Sequence, residues 1–174
     1  MPSLQPEHAL VIRSFVLPSL KAEHLVTRRV IEAIPGDRSD YRPDTVVKCA
    51  IDLAWHIVGA EHRFLDAVAT GAFDFSNTGR PDSVRTPADI VRWYGETFER
   101  DVERLKTLTG DQLVRTIDFR GILQLPAVAY AQIGLNHSIH HRGQLSMYLR
   151  PMGAKVPSIY GESYDSALEK TPRA

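Results

Sequence analysis

The sequence predicts an all-α protein, an up-and-down four-helix bundle. Three observations carry that expectation. Four long segments repeat apolar residues at helical spacing, the loops between them are marked by Pro, Gly and Asp, and those loops look too short to hold extra strands. Four helices of similar length joined in this way bury their apolar stripes best by packing antiparallel around one core.

The first helix is expected over 17–34, with Pro18 in its first turn and Pro35-Gly36 as its stop. A proline inside a helix removes an N–H donor and crowds the preceding turn, so residues before Pro18 are expected to form a separate short turn or helix. A polar loop from Asp37 to Pro43 follows. The second helix is expected over 45–70, capped by Asp44 or Thr45 and ended by Gly71. Leu53, Ile57, Ala60, Phe64 and Val68 form its apolar stripe.

Residues Phe73 to Arg85 read as a long loop. Thr86-Pro87-Ala88-Asp89 then combines a cap hydroxyl, a proline at the first helical position and an acid three residues after the cap. That signature starts a third helix over 87–108. Arg115 to Phe119 reads as a short extended segment at most, and the fourth helix is expected over 126–150, where Pro151 and Gly153 close it. In the tail, Val156 to Gly161 is apolar enough to pack back on the bundle, and residues beyond Ala167 read as disordered. No internal repeat divides the 174 residues, so a single domain is expected.

Composition narrows the function. The 43% hydrophobic and 24% charged fractions are those of an ordinary globular chain. Twenty-one basic residues balance 21 acidic ones, so there is no general electrostatic attraction to nucleic acid or to an anionic membrane. No apolar run approaches the roughly 20 residues of a membrane span, and Glu7 and His8 stand where an export signal would be basic and then apolar. A cytoplasmic location is expected. The single cysteine, Cys49, fits a reducing compartment and reads as a small buried helix residue.

Chemistry concentrates on the fourth helix. At about 100° per residue, Tyr130, Gly134, His137, His141, Gln144 and Tyr148 fall in one narrow stripe. Two imidazoles one turn apart have the geometry of two ligands on one metal ion. His140, three residues after His137, leaves a second pairing open. On the second helix His56 is the better third ligand, because His62 projects roughly 120° away from it. Three neutral imidazoles plus an open position make a catalytic type of site. Glu61, near the middle of the second helix's apolar arc, could orient a ligand or act as a base, and Tyr130, Gln144 and Tyr148 would line the approach. Arg142 is expected in a structural ion pair, Gly143 at a close helix contact, and Trp55 and Trp93 in packing. His8, His24 and His62 read as surface or structural residues. Val128, Leu135 and Ile139, behind the stripe, suggest a second burial face against a neighbouring subunit.

These residues bring out a resemblance. Leu53-Ala54-Trp55-His56-Ile57-Val58, Asn136-His137-Ser138-Ile139-His140-His141-Arg142-Gly143-Gln144-Leu145 and Tyr148-Leu149-Arg150 are similar to the DinB-like superfamily of metal-binding four-helix bundles. Tyr41-Arg42-Pro43, Gly153, Val156-Pro157 and Ile159-Tyr160-Gly161 match it as well, whereas residues from Phe73 to Phe119 carry little of it. The resemblance implies a metal site of His56, His137 and His141 holding a divalent transition ion, nickel, zinc or iron, in a homodimer that binds no nucleic acid. It also implies a metal-dependent enzyme, a thiol-dependent S-transferase with a low-molecular-weight thiol as co-substrate. A metal-dependent hydrolase and a non-catalytic metal- or small-molecule-binding stress protein are the alternatives.

Overall fold

Helix α1, Pro6–Glu32, opens the computed structural model, which describes residues 4–170. It starts well before the expected position and runs through Pro18 without a break. The reason lies in the faces of the helix. Ala9, Val16 and Leu20 continue the buried stripe upstream, while Pro18 is exposed, so the Ser14 carbonyl it cannot serve lies on the solvent side.

Helix α2, Ala50–Thr70, starts later than expected. Asp44 does not cap it. Its carboxylate accepts from the Val46 N–H (2.9 Å) and closes a local turn. The first N–H groups of α2 instead reach the loop, Ala50 donating to the Tyr41 carbonyl and Ile51 to that of Ser39, at 2.8 and 2.9 Å. Gly71 ends the helix as expected, in the left-handed region at φ 98°, with its N–H on the Ala67 carbonyl. After the long loop, α3 (Pro87–Thr107) opens with the reciprocal box of Thr86 and Asp89.

A single-turn helix α4, Gly110–Val114, carries a second such box from Thr109 and Gln112. An antiparallel hairpin follows, β1 (Thr116–Phe119) against β2 (Leu123–Pro126), with Ile117 opposite Leu125. The extended segment expected over 115–119 is β1, and its partner β2 is the strand the sequence reading left no room for. The hairpin turns at Arg120-Gly121, both at positive φ (55° and 69°), and Asp118 accepts from the Gly121 N–H. Helix α5, Ala127–Leu149, leaves the hairpin at Pro126. The tail packs back through Val156 and Ile159 and ends in α6, Tyr164–Lys170. Residues 167–170 are therefore helical and not disordered, because Asp165 anchors α6 by accepting from the Val156 N–H and pairing with Arg150. Residues 171–174 lie outside the described residues.

The four long helices form the bundle, with α2 packed most extensively on α5 and α1 bridging α3 and α5. Val128 and Leu135, expected at a neighbouring subunit, are buried within this chain, and Ile139 packs on the same core. Gly134 sets the spacing of α2 and α5. A Cβ there would stand 2.8 Å from the Cβ of Phe64, whereas a Cβ at Gly143 would meet nothing. The close approach expected at Gly143 thus belongs to Gly134.

Candidate metal centre

The tight α2–α5 contact brings His56 against His137 and His141, with the rings edge-on to one another. One donor atom from each lies within 4.8 Å of the other two, and His140 is outside this group. The Nε2 atoms of His56 and His141 are 3.2 Å apart. Two imidazoles each about 2.1 Å from one zinc-like ion at near-tetrahedral angles would be separated by roughly 3.4 Å. The donor set therefore fits a transition ion. A further sign of fit is His137 Nδ1, which is buried and has no hydrogen-bond partner.

Neighbouring groups prepare these rings. The Gln144 side-chain carbonyl lies 2.7 Å from His141 Nδ1, so it accepts that proton and leaves Nε2 a bare acceptor toward His56. The Gln144 amide nitrogen is 3.2 Å from His140 Nε2, which gives His140 a supporting place beside the group. Burial, followed by the adjacent His141, lowers both His56 and His137 to about 4. Both rings are neutral near pH 7, as ligation requires.

Two clefts of about 330 Å³ each meet at the histidines. One is polar, with Lys48, Asp52 and Arg80 in its wall; the other is aromatic, with Phe64, Phe73, Phe75 and Phe119, and both are bordered by His56 and Arg63. His137 opens into the aromatic cleft. A larger cleft, about 780 Å³, lies away from the histidines, between the end of α5 and the tail.

Several expected site residues sit elsewhere. The Glu61 carboxylate is buried and accepts from Tyr94 Oη at 2.7 Å; no hydrogen bond joins it to an imidazole among the described residues. Burial raises it to about 7, and the Ser138 and Tyr94 hydroxyls beside it only partly offset that. Tyr130 donates to the carbonyls of Ile117 and Leu123, both at 3.0 Å, and so ties α5 to the hairpin. Tyr148 packs edge-on against Tyr41. Arg142 forms the expected structural pair, 2.5 Å from Glu23 and 2.7 Å from Tyr160 Oη. His62 pairs with Asp101 at 2.6 Å, His24 stacks on Phe98, and Trp55 packs on Trp93. Cys49 is buried at the start of α2, where burial pushes its thiol up and away from reactivity.

The sequence reading missed Arg63 and Arg120. Arg63 had a legible signal, since seven residues after His56 is two turns along one face. Arg120 had none, because the hairpin brings it in from a stretch without motifs.

Comparison with known proteins places the sequence and the fold in a family. The sequence profile of the DinB family matches residues 14–173. The uncharacterized protein YjoA of Bacillus subtilis (strain 168) is 31% identical over 132 residues, 74% of this chain and 82% of that protein. The crystal structure of this DinB-like protein superposes with a TM-score of 0.70 at 27% identity, over 84% of this chain and 99% of that one. A DinB-like protein from Bacillus cereus ATCC 10987 superposes at 0.71 with 25% identity, over 83% and 95%. With a family profile spanning nearly the whole bundle and a shared fold, the chain belongs to the DinB family.

Proposed function

We propose that the chain binds a divalent transition ion through His56, His137 and His141 and works as a metal-dependent enzyme, a thiol-dependent S-transferase. The observation that carries the reading is the convergence of three imidazoles, one of them hydrogen-bonded through Nδ1 to Gln144, at the meeting of two clefts. When bound, a divalent ion supplies the positive charge that favours a thiolate over a thiol. The protein's own part is positional. Gln144 orients His141, and the packing of Gly134 on Phe64 holds α5 at its distance from α2. The aromatic cleft gives the histidines an apolar wall on one side. The hydrolase alternative would call for a general base at the site, and Glu61 is committed to Tyr94 instead.

A homodimer and a cytoplasmic location belong to the same proposal. Among the described residues no helix is long and apolar enough to cross a membrane. Phe15 (72% exposed) and Leu25 present apolar surface on α1 that a second copy could cover.

Elemental analysis of protein purified without a polyhistidine tag tests the metal. About one transition ion per chain is expected, and none in His137→Ala; unchanged content in the variant would overturn the assignment. A conjugation assay with glutathione and other low-molecular-weight thiols then tests the reaction. Metal-bearing protein inactive with every thiol would favour the binding or hydrolase alternatives.

A further inference from the structure

The aromatic cleft beside the histidines carries two cations with no ion-pair partner among the described residues. Arg63 borders both clefts and lies within electrostatic reach of His56 and His137. Arg120 comes from the hairpin turn at φ 55°, a left-handed conformation that an L side chain adopts only under local constraint. Its guanidinium carbon sits 3.8 Å from the centroid of the Phe75 ring, and that of Arg63 sits 5.9 Å from the same ring. Both guanidiniums thus border the same ring, close enough for Arg120 to act electrostatically on Arg63. Burial and then Arg120 both pull Arg63 below the usual guanidinium range. Among the described residues no carboxylate pairs with either arginine. Asp74, the acid that Arg63 feels, spends an oxygen on the Ser76 N–H at 2.8 Å. The cleft walls continue in Phe73 and Phe119, packed edge-on at 4.9 Å.

Two like charges at the edge of an apolar cleft repel each other, and an anion bound between them relieves that repulsion. A carboxylate is planar and can accept from two guanidiniums at once. A small inorganic anion would need only the positive charge at that point; the phenyl rings add a demand for an apolar body. We propose that this cleft binds a small carboxylate with an aromatic or apolar body, its anionic end on Arg63 and Arg120 and its body along Phe73, Phe75 and Phe119. That placement turns the far end of the molecule toward His56 and His137, and this last part rests on the metal reading above.

Calorimetric titration of the full chain with 3-phenylpropionate and its neutral analogue 3-phenylpropan-1-ol tests the proposal, in metal-free and zinc-loaded protein. The acid is expected to bind at least about tenfold more tightly than the alcohol, as charge-assisted hydrogen bonds allow. Arg63→Gln and Arg120→Gln should each reduce that preference severalfold, while Arg92→Gln, remote from the cleft, leaves it unchanged. Circular dichroism checks that each variant is folded. Equal affinity for acid and alcohol, no binding of either, or a preference unchanged in both cleft variants overturns the proposal. Zinc content measured on the same samples separates the two readings. Loss of zinc binding with the anion preference intact would sink the metal site and leave the anion site standing.

Discussion

Gln144 holds His141 by the Nδ1 proton, and that one hydrogen bond leaves Nε2 as the nitrogen that faces His56. Without it the ring can flip its tautomer or rotate, and an ion must then reorganise the site as it binds. Gln144→Ala is expected to lower transition-metal affinity by about 10- to 100-fold with the fold intact, read by competition with a chromophoric chelator. An unchanged affinity would show that Gln144 does not orient the ligand. Glu61 makes a separate claim about pH. Its carboxyl is raised to about 7 by burial, so the folded protein holds a proton that the unfolded chain gives up near the ordinary 4.5. Its stabilising contribution is complete below the unfolded value and is lost as pH rises toward 7. Glu61→Gln keeps a hydrogen-bonding group and removes the titration. Relative to the native chain, the variant should therefore gain stability between pH 5 and 8, on the order of 3 kcal/mol if the full shift is expressed. Denaturant melts at the two pH values check this; parallel pH profiles would refute it.

At the scale of elements, two glycines of α5 separate packing from propensity. A Cβ at Gly134 would press on the Cβ of Phe64, an atom too close to the α2 backbone to move alone. Gly134→Ala gains up to about 1 kcal/mol of helix propensity and is expected to lose about 1–3 kcal/mol to overpacking. Because the same contact spaces His56 from His137, metal affinity should fall with stability. Gly143→Ala meets nothing and should stabilise by up to about 1 kcal/mol. Thermal melts of both variants decide between the sites, and the opposite order would refute the assignment. Sequence spacing could not choose between the two positions, because a glycine's neighbour lies on another helix. The histidines were legible for the converse reason. His137 and His141 share one face through α5 alone, and His56 needed only the α2 stripe to be drawn toward α5. The start of α1 and the pairing of the hairpin were not legible, although 115–119 read as extended. Pro18 reads as a break until its solvent-facing side is known, and β1 and β2 are too short to show alternation. Arg120 was lost with the hairpin that carries it.

For the whole molecule, the proposed ion would staple α2 to α5 across the most extensive helix contact of the bundle. The other ties are side-chain links of a different kind: Arg142 joins α5 to α1 and the tail through Glu23 and Tyr160, and Arg13 joins α1 to the end of α3 through the Leu108 carbonyl. Neither crosses from α2 to α5, where among the described residues packing is joined only by the His56–His141 contact and by Ser138 beside Glu61, so an ion adds a stronger connection there. A ligand that binds only the folded state stabilises it by mass action, about 2.7 kcal/mol at a free concentration 100 times its dissociation constant. For a chain of this size that corresponds to a rise in melting temperature of roughly 5–10 °C. Zinc or nickel added to metal-free protein should produce a rise of that order, and a chelator should reverse it. His137→Ala, which removes the middle ligand and exposes no charge, should melt near the metal-free protein and respond little to added metal. A full response in that variant would place the stabilising ion elsewhere. No response in either protein would leave α2 and α5 held by Gly134 and the core alone.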